Sequence, residues 1–114
     1  MTVDLSADVL QTIRETRARV RYRFPWWLRP FLVDGVIGIT IGRRVYIESE
    51  NVAHLRHELM HVRQVVANGF FRFYWRYAVE YIRNRRAGMS SHEAYSDISF
   101  EREAVAAEQL PVDI

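Results

Sequence analysis

Between Asn51 and Asn68 the chain places Val52, Leu55, Leu59, Val62 and Val66 three and four residues apart. That spacing lines them along one face of an α-helix. Ser49, Glu50 and Asn51 offer N-cap candidates and early negative charge, and Asn68-Gly69 reads as the stop. A long helix with one apolar stripe has to bury it, so the fold is expected to assemble around this segment. The same helix carries His57-Glu58-Leu59-Met60-His61. Residues four apart lie one turn above each other, so His57 and His61 can turn both imidazoles toward one ion. Glu58 sits about 100° round from His57, where its carboxylate can reach a metal-bound water without being a ligand. Metal-assisted hydrolysis needs this arrangement. The competing reading of any H-x-x-x-H is a pair of hydrogen-bonded surface histidines; Glu58 and the uncharged Leu59-Met60 favour the metal.

Two imidazoles leave a zinc site short of a protein ligand. His54 shares the stripe, but seven residues separate it from His61, about 10 Å along the axis. With metal–nitrogen bonds of about 2.0–2.1 Å, one ion cannot bridge them. The last helical segment offers Phe100-Glu101-Arg102-Glu103-Ala104. Glu101 serves if this helix packs on the histidine helix, with Ala104 one turn on allowing close approach. Glu103 points to another side, and the residues alone leave the two nearly even.

His57-Glu58-Leu59-Met60-His61 followed by Glu101-Arg102-Glu103-Ala104 resembles the gluzincin group of zinc metallopeptidases, whose third ligand is a glutamate on a following helix. The stretches from His57 to Gln64 and from Phe100 to Ala104 are also similar to small bacterial zincin-like domains. The resemblance covers roughly residues 36–108. It implies Zn2+ held by His57, His61 and Glu101, with Glu58 as general base, and peptides or proteins as substrates. Two positions depart from the group's pattern. Val105 stands where many members place an aspartate that orients a histidine, so that role passes to Asp97, Glu103 or a backbone carbonyl. Arg63 stands where the pattern is usually apolar.

The remaining chain is expected to build an α+β domain of zincin-like type over residues 1–114: a small antiparallel sheet or hairpin packed on the histidine helix, with three or so further helices. Residues 4–18 read as a first helix, capped by Asp4 or Ser6, with Val9, Leu10 and Ile13 inward. Val20, Tyr22 and Phe24 alternate with Arg19, Arg21 and Arg23 as in a half-buried strand. The segment from Phe24 to Leu32, broken by Pro25 and Pro30, reads as an aromatic lid over the sheet. Asp34-Gly35 marks a turn, and residues 36–41 and 45–48 form a hairpin through Gly42-Arg43-Arg44. An exposed edge of that hairpin beside a metal would hold a peptide by strand addition. Phe70 to Arg86 reads as a second long helix, taken as a core helix with a solvated arginine face. Ser90 and Glu93 stand at capping-box spacing, and Ser99 caps a helix reaching about Leu110. Tyr95, with His92 behind it, is the candidate donor to a developing oxyanion. The tail after Leu110 brings Asp113 within possible reach of the metal.

Composition narrows the alternatives. With no cysteine, neither a disulfide nor a thiolate metal site is possible. All 16 basic residues are arginine and the net charge is only +2, which does not by itself argue for nucleic acid. No apolar run is long enough for a signal peptide or a membrane span, so the expectation tilts toward the cytoplasm. A carboxylate-bridged di-iron site needs a second Glu-x-x-His, and the chain contains none beyond Glu58-x-x-His61. Two rivals to the hydrolase remain: a catalytically idle zinc scaffold or partner-binding module, and a basic, aromatic module for a membrane surface or nucleic acid built on residues 70–86 and Trp26-Trp27. With one small lobe, a homodimer or partner could complete the cleft.

Overall fold

The structure is a computed structural model and describes residues 7–31, 37–49 and 51–108. Along the chain run α1 (Ala7–Thr16), β1 (Arg19–Arg21), a 3-10 turn (Arg29–Phe31), β2 (Gly38–Ile41), β3 (Arg44–Ile47), α2 (Val52–Asn68), α3 (Phe70–Arg86), α4 (Ser91–Ser96) and α5 (Ser99–Glu108). The class is α+β. Asp4, Ser6, the turn at Asp34-Gly35 and the tail with Asp113 lie outside the described residues.

α2 packs against α1, β2, β3, α3 and α5. Asn51 caps it through its side chain, which accepts from Ala53 N, and at Gly69 the backbone turns to φ 88° and starts α3 at once. A positive φ of this kind strains any residue with a Cβ, which is why glycine stands there. Leu55, Leu59 and Val62 are buried with Val9, Ala18, Val45 and Ile47, one core between α1, the sheet and α2. The stripe departs from the expected one at its end: Val65 is buried and Val66 is exposed. At 100° per residue the inward face drifts over four turns, and by the last turn Val65 occupies it. Arg63 is also explained. It points outward and reaches Thr12 at 2.9 Å and Glu15 at 3.1 Å, fastening α1 to α2.

The sheet is mixed, not purely antiparallel. Its order is β1-β3-β2, with β1 parallel to β3 and β2 antiparallel to it. β2 is therefore an edge. Ile41 faces Arg44 and Ile39 faces Tyr46, and Glu48 N donates to Ile37 O at 2.8 Å. In an antiparallel ladder alternate residues turn their backbone groups away from the partner, so Gly38 and Thr40 turn theirs toward the open side. There the Thr40 carbonyl accepts from the Tyr74 hydroxyl at 3.1 Å.

Two expectations need correction. The aromatic lid packs only in part: Phe24 and Leu28 are buried against Tyr46, while Trp26 is exposed and Trp27 lies edge-on to Tyr46 with much of its surface in solvent. α3 is a core helix on one face alone. Phe73 is buried, with Tyr74, Tyr77 and Tyr81 packed beside it, but Phe71, Trp75 and Ile82 are exposed. No helix among the described residues is long and apolar enough to cross a membrane.

Candidate metal centre

α5 lies against α2 through Ala104 and Ala107, both buried. Small side chains let the two helices come close, and this brings Glu101 between the histidines. His57 Nε2 is 3.0 Å from Glu101 Oε1, and His61 Nε2 is 3.1 Å from Glu101 Oε2. Ligand atoms of the three residues all lie within 4.8 Å of one another. Ligands about 2.1 Å from a tetrahedral zinc stand about 3.4 Å apart, so the two histidine–glutamate distances of 3.0 and 3.1 Å need to widen by only a few tenths of an ångström to admit the ion. Two neutral imidazoles and a carboxylate are also the donor set that zinc takes, with a fourth position left open. The residues fit the metal.

The outer nitrogens are tied down. His57 Nδ1 is 2.7 Å from Glu108 Oε2. His61 Nδ1 is 2.9 Å from Gln64 Oε1, and the Gln64 amide in turn donates to the Phe100 carbonyl at 3.1 Å and to Glu103 Oε1 at 2.7 Å. Each acceptor fixes its ring so that Nε2 faces Glu101, the role such partners play behind metal-bound histidines. Asp97, a sequence candidate for this task, instead faces Arg102, and Glu103 acts one step removed, through Gln64. Val105 is exposed, and the carboxylate behind His57 comes from Glu108, one turn further along.

The three side chains shift one another's titration. Burial would lower the pKa of His57, but hydrogen bonds to Glu101 and Glu108 and the charge of Glu58 outweigh it and hold it at about 9. His61 is raised against the same burial penalty, by Glu101 and Gln64. Burial acts to raise Glu101, yet the two histidines and Tyr77 drive its carboxyl well below the usual range. The Tyr77 hydroxyl donates to Glu101 Oε2 at 2.6 Å, and burial beside that charge pushes the phenol strongly up.

Glu58 lies beside the triad and outside it. Thr40 Oγ1 donates to Glu58 Oε1 at 2.7 Å, and a Cβ at Gly38 would stand 3.1 Å from Glu58 Cγ. β2 thus fixes the glutamate by a hydroxyl and makes room for it with a glycine. Burial raises its pKa, with Thr40 and both histidines pulling the other way. The cleft in front, about 340 Å³, is lined by Ile37, Gly38, His54, His57, Glu58, Tyr95 and Glu108. Tyr95 is at its rim, its hydroxyl pKa raised by burial and by Glu101. His92 is exposed and does not line it. His54 bonds Ser49 Oγ through Nδ1 at 2.6 Å and stays out of the triad.

The sequence reading missed Thr40, Gln64, Tyr77 and Glu108. Gln64 lies three residues after His61 and Glu108 seven after Glu101, both helical same-face spacings, so a local signal existed. Thr40 and Tyr77 arrive from other elements and have none. No family model, curated protein or solved structure matches this chain.

Proposed function

We propose that this chain is a zinc-dependent hydrolase of peptide bonds, with Zn2+ held by His57, His61 and Glu101 and Glu58 as general base. The observation that carries the reading is the convergence of both Nε2 atoms on one carboxylate while Glu108 and Gln64 hold both Nδ1 atoms. Histidines that were only surface hydrogen-bonders would not need four contacts to three residues arranged in this way. Bound zinc supplies a Lewis acid that polarises a carbonyl and brings the pKa of water toward neutrality. Glu58 then takes the proton of the attacking water and passes it to the leaving amine. Its raised pKa suits a group that must hold a proton between those two transfers. Tyr95, at the rim, donates to the developing oxyanion. The backbone of Gly38 faces the open side of β2, where an extended peptide adds as a further strand.

The test is cleavage of a peptide mixture by zinc-loaded protein and by Glu58→Gln. Wild type cleaves, and the variant retains zinc and cleaves at least about 100-fold more slowly. A zinc-loaded wild type that cleaves nothing identifies an idle scaffold instead. A variant as fast as wild type removes Glu58 from the chemistry.

A further inference from the structure

α3 carries a second apolar stripe that nothing in the described fold covers. Phe71, Trp75, Ala78 and Ile82 recur at intervals of four, three and four residues, a row about 16 Å long at 1.5 Å per residue. The buried row through Phe73, Tyr77 and Tyr81 lies well round the helix from it. Phe71 is 85% exposed, Trp75 71% and Ile82 51%.

Charge is segregated around this row. At 100° per residue, Arg72, Arg76, Arg83 and Arg86 fall along one side of it and Arg85 along the other. The only acid of α3, Glu80, is turned inward and accepts from Ser99 N at 2.9 Å and Ser99 Oγ at 2.8 Å. Among the described residues, none of Arg72, Arg83 and Arg86 has an ion pair. The face therefore offers aromatic and aliphatic surface flanked by cations, with no acid on it.

We propose that this face of α3 docks on an anionic lipid bilayer, with Phe71, Trp75 and Ile82 entering the headgroup boundary and the arginines meeting lipid phosphates. A helix lying in the interface needs an apolar row flanked by basic residues that can reach headgroups. Trp75 suits the same depth, where indole rings concentrate. A second copy of the chain is a poorer occupant, because pairing the face with itself sets arginines against arginines. Nucleic acid is poorer too, since Ala78 and Ile82 offer it neither stacking nor charge. The surface stands apart from the metal centre, and the two readings can fail separately.

Co-sedimentation of the full chain with vesicles tests it, using phosphatidylcholine alone and phosphatidylcholine mixed with phosphatidylserine. Two variants are compared: Phe71→Ser with Trp75→Ser, and Arg72→Gln with Arg83→Gln and Arg86→Gln. All five positions are exposed, so circular dichroism should show both variants folded. Wild type should bind the mixed vesicles, bind less as salt rises, and lose at least about tenfold in partitioning in each variant. Failure of wild type to bind mixed vesicles overturns the proposal, as does equal binding to phosphatidylcholine alone or unchanged binding in either variant. A solution dimer that the aromatic variant dissociates would overturn it in favour of a protein interface.

Discussion

Nδ1 of His57 lies 2.7 Å from the carboxylate of Glu108, so this imidazole is oriented from behind by the residue seven positions after Glu101. One face of α5 thus supplies both the proposed third ligand and a brace for the proposed first. Partners of this kind change metal affinity by about 10–100-fold. Glu108→Ala should weaken zinc binding by about that factor in competition with a chromophoric chelator, and Glu108→Gln, whose amide oxygen can still accept, should lose less. Equal affinity in wild type and both variants would show that the brace is unimportant.

Stability of the metal-free protein should follow the charges of the cluster. His57 is held at about 9, above its ordinary 6.5, so its contribution is complete below 6.5 and lost as pH rises through 9. His61 shifts the same way. Glu101 is depressed, so its contribution is present above its ordinary 4.5 and lost as pH falls. Glu58 is raised by burial and works against the folded state once pH passes its ordinary range. Chelator-treated protein should then show its highest melting temperature between about pH 4.5 and 6.5 and decline toward pH 9. Zinc should reverse that alkaline decline, because metal and protons compete for the same nitrogens. A metal-free melting temperature that climbs steadily from pH 6 to 9 would contradict the cluster's protonation.

Thr40 donates to the carboxylate of Glu58 and so favours its ionised form. Thr40→Val removes the hydroxyl while keeping the shape of the side chain. The acid limb of the pH–rate profile should move to higher pH, with zinc content unchanged. An unmoved limb would mean that Glu58 does not govern it.

Close packing of α5 on α2 can be tested without touching a ligand. Ala104 is fully buried and Val105 next to it is exposed. Ala104→Leu forces extra methylenes into the contact, costing about 1–3 kcal/mol, and moves Glu101 away from the histidines. Thermal melts should show the loss, and zinc titration should show weakened binding. Val105→Leu should stay within about 0.5 kcal/mol of wild type. If Ala104→Leu bound zinc normally, the helix spacing would not set the site.

Much of this arrangement is legible from spacing alone. α2 and α3 occupy the stretches that periodicity and the Asn68-Gly69 stop mark out, and Ser90 with Glu93 forms the capping box that its spacing implies. Local rules govern these features, and they survive folding unchanged. The choice between Glu101 and Glu103 is different, because it depends on which face of α5 meets α2, a tertiary fact. The pairing of β1 with β3 is likewise set by where the chain returns, and no residue in Arg19–Arg21 records it. Trp26 and the outer row of α3 are exposed against expectation, because apolar composition does not say which apolar side chains find a neighbour. Tyr77 reaches Glu101 across 24 positions, and from sequence it is one aromatic among many.

The most direct measurement is anomalous diffraction at the zinc edge from crystals grown with zinc, with His61→Ala beside wild type. One peak is predicted in wild type, about 2.0–2.2 Å from His57 Nε2, His61 Nε2 and a Glu101 oxygen, and none at that place in the variant. A wild-type map with no peak there, or with zinc bound only elsewhere on the chain, would contradict the metal centre and the hydrolase built on it.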